Sequence, residues 1–216
     1  GLPRTAASAT NWVGQLHGDD APTFDYGNAD NSPNSRGFNG PGGFALDGTS
    51  HRLFVVDPGN NRVMVFNLGT DNRLLDRIAD NVLGQDTFRD AAADTSANRF
   101  ITPLYAAYDE DNDYLFVSDY GNNRVIVFDL SGGIVDGMAA TWVLGQPDFD
   151  SNAVVLDEFG MTNPRGVAHD PTTDRLYVGS QDHERVLVYD LSGGIANGMA
   201  ASWVLGQEDF TSEGSN

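Results

Sequence analysis

Short apolar runs and Gly/Asn/Asp turns recur along this chain in one fixed order. Residues 53–66 read Leu-Phe-Val-Val-Asp-Pro-Gly-Asn-Asn-Arg-Val-Met-Val-Phe, and residues 115–128 read Leu-Phe-Val-Ser-Asp-Tyr-Gly-Asn-Asn-Arg-Val-Ile-Val-Phe. Residues 176–189 return the same flanks with an altered turn, Leu-Tyr-Val-Gly-Ser-Gln-Asp-His-Glu-Arg-Val-Leu-Val-Tyr. β-Branched and aromatic residues on both sides of a Gly/Asn turn predict two antiparallel strands, b and c, in each copy. An earlier run follows a proline in each copy and predicts a strand a over 44–47, 105–109 and 166–170. A later run ends in Gly-Gln and predicts a strand d over 82–85, 142–146 and 203–207. A phenylalanine stands three residues after each glutamine, at Phe88, Phe149 and Phe210.

The spacing is regular. Arg62, Arg124 and Arg185 stand 62 and 61 residues apart, and Gln85, Gln146 and Gln207 are each separated by 61. A long fixed period means stacked copies of one supersecondary unit, none of which buries its apolar faces alone. Four antiparallel strands per copy predict an all-β fold, a propeller-like arc of three four-stranded blades with an extra N-terminal strand. Blade 1 spans 41–102, blade 2 103–163 and blade 3 164–216. Residues 1–40 carry a spare strand at Trp12-Val13-Gly14-Gln15 and then a Gly/Asn/Asp-rich connection. The unit exceeds the usual blade length, and the excess lies in the c–d loop (131–140 in the second copy) and the d–a loop (147–163). Met138-Ala139-Ala140 fits a single helical turn, which Gly133 and Gly137 keep short.

The motif Pro-x-Gly-(Val/Phe)-Ala-x-Asp, followed by Leu-(Phe/Tyr)-Val-x-Asp-x-Gly-Asn-Asn-Arg-Val-x-Val-Phe, resembles the NHL repeat over residues 41–210. The resemblance implies a β-propeller, often of six blades, used to bind protein or RNA, with a metal-dependent amidating lyase in one branch. Three copies make about half a ring. An open arc leaves an apolar sheet face bare at each end, each on the order of 500 Å². Cover would come from other copies of the chain, as a ring or a filament, or from further blades of a longer chain.

Charge narrows the partners. The sequence holds 31 acidic and 12 basic residues, a net charge of −19, and every basic residue is arginine. Such a surface repels phosphate backbones, so nucleic acid is excluded as the partner. No run of 18 apolar residues occurs, which argues against membrane insertion. The chain begins with Gly and shows no signal-peptide core, which reads as a processed chain or part of a longer one. It has no cysteine, which removes disulfides, thiol catalysis and Cys-bound zinc together.

The remaining motifs are mostly structural in character. In the turns, Asp57, Asn60, Asn61 and Arg62, then Asp119, Asn122, Asn123 and Arg124, and finally Arg185, are expected to hold the b–c connection. Asp57 and Asp119 would accept from turn amides or pair with the arginines. Asp109, Asp111 and Asp113 offer alternate oxygen ligands, and Ca²⁺ is the one ion nominated there, though the residues needed to complete an EF-hand loop are absent. Trp12, Trp142 and Trp203 hold equivalent strand-d positions and are candidates for packing or assembly. Only His169 among the four histidines sits on an inner strand. No nucleophile motif, phosphate loop or dinucleotide fingerprint occurs.

The expectation is therefore a non-catalytic structural or interaction module, outside the cell or at its surface, that self-assembles through its open blade ends. The alternatives are a subunit of a metal-dependent propeller lyase or hydrolase with metal near His169, and a calcium-stabilised adhesion module. No catalytic residue and no organic cofactor is assigned.

Overall fold

The computed structural model describes residues 32–214. Among these residues, twelve strands form three antiparallel sheets of four, each ordered as the chain runs. Blade 1 comprises β1 (Phe44–Asp47), β2 (Arg52–Asp57), β3 (Arg62–Asn67) and β4 (Asn81–Leu83). Blade 2 comprises β5 (Pro103–Asp109), β6 (Tyr114–Asp119), β7 (Arg124–Asp129) and β8 (Trp142–Leu144). Blade 3 comprises β9 (Pro164–Asp170), β10 (Arg175–Ser180), β11 (Arg185–Asp190) and β12 (Trp203–Leu205). The spare strand at Trp12 lies outside the described residues.

Two strand boundaries differ from the sequence reading. In blades 2 and 3, strand a begins at the proline itself, with a register shift just after it. Proline has no N–H for the ladder and so is tolerated at a strand's first residue. Strand d is shorter than expected. Gly84, Gly145 and Gly206 have φ of +86°, +82° and +90° and turn the chain out of the sheet before the glutamine. Residues 138–140 form no helical turn; the c–d loop makes turns at 131–132 and 136–137.

Alternation along each strand sends side chains to the two neighbouring blades. Leu115 and Val117 face blade 1, where they meet Phe54, Val56, Val65, Phe100, Ile126 and Phe128. Phe116, between them in sequence, faces blade 3 and packs with Met161, Leu176, Val178, Leu187 and Tyr189. The blades thus share two continuous apolar cores. A third cluster lies on the outward face of blade 1, where Phe38 and Ala79 cover Met64 and Phe66, joined by partly buried Leu74 and Phe88. The chain itself therefore covers the outer half of that face. The inner half stays open, with Phe44 72% and Leu46 51% exposed.

The c–d loops do a second job. Asp136 Oδ1 accepts the Val82 amide of β4, and the Gly137 amide donates to the Val82 carbonyl. One blade on, Asn197 Oδ1 accepts the Val143 amide of β8, and the Gly198 amide donates to the Val143 carbonyl. Each blade thus covers the edge strand of the blade before it. Among the described residues, nothing does this for β12, and Trp203 is 43% and Leu205 51% exposed.

Candidate functional site

The b–c turns do not form two-residue hairpin loops. Pro58–Asn60 and Tyr120–Asn122 each form one 3-10 turn, closed by a left-handed Asn61 or Asn123. This geometry folds the turn's polar side chains inward. Asp57 Oδ2 accepts from Arg62 Nε and Asn60 Nδ2, both at 2.8 Å, and its Oδ1 accepts the amide of Asn39. Asp119 repeats the arrangement: Arg124 Nε at 2.8 Å, Asn122 Nδ2 at 2.7 Å and the amide of Ile101 at 2.7 Å. Both aspartates and both arginines are fully buried. Burial pushes the Asp119 carboxyl up to about 6, against the opposing pull of Arg124, Asn122 and the Ile101 amide.

Each arginine also ties together two loops. Arg62 donates to the carbonyls of Phe88 and Gly37. Arg124 donates to those of Phe149 and Arg99, and Arg185 to those of Phe210 and Gly160. The regular phenylalanine after each Gly-Gln thus serves through its backbone. The glutamines have a role that sequence reasoning did not assign. Gln85 Nε2 donates to the carbonyls of Asn61 and Ala92, and Gln146 Nε2 to those of Asn123 and Ala153. Their strict 61-residue spacing was the available signal.

Blade 3 breaks the pattern. Ser180 stands where Asp57 and Asp119 stand, and His183 where Asn60 and Asn122 stand. Arg185 keeps its contacts to backbone carbonyls, but among the described residues no carboxylate hydrogen-bonds it. Burial holds the Arg185 guanidinium and the His183 imidazole below their ordinary values, with the Arg185 charge adding to the effect on His183.

The two blade interfaces carry different polar clusters. Between blades 1 and 2, Arg52 reaches Asp47, Tyr108 and Asp113. Between blades 2 and 3, the corresponding residues are Tyr114, Asp109, His169 and Asp174. His169 Nε2 lies 3.1 Å from Asp174 Oδ1, and its Nδ1 lies 3.9 Å from Asp109 Oδ1. The His169 ring stacks on Phe116 with centroids 5.8 Å apart. Among the described residues, this is the only grouping of three or more side chains with the geometry to hold a metal. The calcium candidates point to different partners. Asp113 pairs with Arg52, Asp109 accepts the amides of Asp111 and Asn112, and Asp111 lies on the exposed side of that turn.

Trp142 packs edge-on against Tyr114, at 5.0 Å between centroids. Trp203 lies beneath the Arg175 guanidinium at 4.4 Å, on the open face of blade 3. Trp12 lies outside the described residues.

No protein-family model matches the chain, and no curated protein matches it. Among solved structures, it is similar to a chain in "Crystal structure of Nidogen/Laminin Complex", with 15% identity and a TM-score of 0.43. The match covers 72% of this chain and 46% of that one, so the chain spans about half the length of its structural neighbour. No helix among the described residues is long and apolar enough to cross a membrane.

Proposed function

We propose that the chain is a non-catalytic interaction module of NHL-like propeller type, acting outside the cell or at its surface and joining to further blades, in the first place those of other copies of itself. One observation carries this reading: among the described residues no loop covers the edge of β12 as loops cover β4 and β8, and that edge lies beside exposed Trp203 and Leu205. An edge strand with unpaired backbone groups next to apolar side chains is a template for association. The buried polar groups support the non-catalytic part, because the Asp–Arg staples are spent on backbone carbonyls and turn residues.

Size-exclusion chromatography with light scattering tests the reading. Assemblies larger than the 23.2 kDa chain are expected. A soluble 23.2 kDa monomer, stable at high concentration, would overturn it.

A second reading rests on Asp109, His169 and Asp174. The cluster has no arginine where the sister interface has Arg52, and a cation there would tie blade 2 to blade 3. Imidazole beside two carboxylates suits a first-row transition ion such as Zn²⁺ better than Ca²⁺. Metal analysis and EDTA decide it. A bound ion and a melting temperature lowered by EDTA are expected on this reading, and unchanged melting with no metal found rejects it.

A further inference from the structure

In blades 1 and 2, one aspartate oxygen receives two donors. Asp57 Oδ2 takes Asn60 Nδ2 and Arg62 Nε, and Asp119 Oδ2 takes Asn122 Nδ2 and Arg124 Nε. Blade 3 keeps two donors at these positions, as His183 and Arg185, but replaces the aspartate with Ser180. The shorter side chain does half of the old work. Ser180 Oγ accepts the Thr162 amide at 2.9 Å, as Asp119 Oδ1 accepts that of Ile101, and donates to the Thr162 carbonyl. Among the described residues, nothing replaces the second oxygen. His183 Nδ1 and Arg185 Nε are both buried without a hydrogen-bond partner, and each residue is only 4% exposed. The Thr162 hydroxyl lies 3.1 Å from His183 Nε2; in the tautomer in which that hydroxyl donates to Nε2, Nδ1 carries the proton and is a free donor.

The same substitution leaves a buried guanidinium without the hydrogen-bonded carboxylate of its sisters, an arrangement that burial disfavours strongly. Asp157 acts on Arg185 through space, and its Oδ1 is committed to the amides of Phe159 and Gly160. A cavity of about 420 Å³ opens beside Ser180 and Arg185 on the outward face of blade 3, walled also by Arg165, Gln181 and Glu184, with Leu205 at its edge. Arg165, stacked on Tyr120 at 5.9 Å, adds a second positive charge.

We propose that blade 3 carries a carboxylate-binding site, in which an external carboxylate replaces the missing aspartate and sets one oxygen between His183 Nδ1 and Arg185 Nε. The planar guanidinium favours a carboxylate over a spherical anion. The two sister blades, where a carboxylate already occupies this place, are the template.

Thermal unfolding at neutral pH and fixed ionic strength, with sodium formate or acetate exchanged for sodium chloride, tests the site. Formate or acetate is expected to raise the melting temperature of the native chain by several degrees, because a ligand that binds only the folded state stabilises it. Ser180→Asp supplies the carboxylate internally. It is expected to melt higher than the native chain and to lose the response to formate. Arg185→Met removes the guanidinium and is expected to lose the response to formate; where it fails to fold, Ser180→Asp carries the test. The peptide acetyl-Gly-Asp-Gly-amide separates the sources. A response to formate alone assigns a free small carboxylate, and a response to the peptide as well assigns one borne on a polypeptide. No response to formate or acetate, an equal response to chloride, or a Ser180→Asp chain that responds like the native one would overturn the proposal.

Discussion

Arg52 of blade 1 and Asp113 of blade 2 are joined across the interface, Nη2 to Oδ1, at 2.5 Å. The same nitrogen lies 2.6 Å from Asp47 Oδ2 and 2.7 Å from the Tyr108 hydroxyl. One guanidinium therefore balances two carboxylates from two blades, in a region where Asp47 is fully buried. Removing it leaves both acids without a counter-charge. Arg52→Met should destabilise the chain by about 3 kcal/mol, measured by urea unfolding.

The same cluster sets an acid response. Burial works to raise the Asp47 carboxyl, but the Ser50 amide and Arg52 outweigh it and hold the group below its ordinary value of 3.8. The folded chain thus binds this proton less readily than the unfolded one. The resulting stability is present above the unfolded value of about 3.9 and is lost as pH falls through the lower folded value. The native chain should lose melting temperature below about pH 4. Arg52→Met should start lower at neutral pH and show a shallower acid limb, as read from melting curves between about pH 2.5 and 6.

Gln146 joins the b–c turn of blade 2 to the loop leading into blade 3, through the carbonyls of Asn123 and Ala153. It is buried, so truncation leaves two carbonyls short of a donor. Gln146→Ala should cost about 2 kcal/mol. Gln207 makes the matching bonds to Glu184 and Gly214 from a half-exposed position, where water substitutes readily. Gln207→Ala should cost about 0.5 kcal/mol. Denaturant midpoints of the two variants give the comparison.

Two glycines separate backbone strain from crowding. Gly84 has φ +86°, and a Cβ there would meet the Phe100 ring at 2.2 Å, inside the core shared by blades 1 and 2. Gly133 has φ +92° and open space around it. Gly133→Ala should cost about 1 kcal/mol, the left-handed penalty alone. Gly84→Ala adds displacement of a buried ring and should cost about 3 kcal/mol more than that. Equal losses in calorimetry would mean the ring moves freely.

The repeat period made the architecture legible. A two-residue alternation inside a 61-residue repeat fixes four-stranded blades and assigns Leu115 and Phe116 to opposite cores. What stayed hidden depends on three-dimensional register. Gly-Gln reads as the end of a strand until the positive φ of Gly145 turns the glutamine inward. Asp136 and Asn197 are unremarkable loop residues until they meet the edge strand of the preceding blade. The change from Asp to Ser at position 180 was visible as an eroded turn. Its consequence, two orphaned donors, appears only once the sister blades show which oxygen is missing. Asp109, His169 and Asp174 are brought together by blade packing, with the first two 60 positions apart, so no local spacing announced them.

The open edge of β12 gives the sharpest test of what covers it. β4 receives Asp136 and β8 receives Asn197, each accepting the central amide of the strand. Counting back one repeat places Leu75 at that position in blade 1, 70% exposed and without an acceptor. Likewise, Leu46 and His51 stand in blade 1 where Tyr108 and Asp113 meet Arg52 in the interface between blades 1 and 2. A second copy arriving with blade 1 against β12 would bring apolar cover but no partner for the Val204 amide. Leu75→Asp supplies that acceptor. If copies join head to tail, it should tighten association about 10-fold, because one hydrogen bond to a charged acceptor is worth about 1.5 kcal/mol. Leu205→Asp should weaken association on the same face by placing a charge in the apolar contact. Sedimentation velocity over a concentration series measures both. An unchanged constant for Leu75→Asp beside a weakened one for Leu205→Asp would show that β12 is covered by something other than blade 1 of another copy.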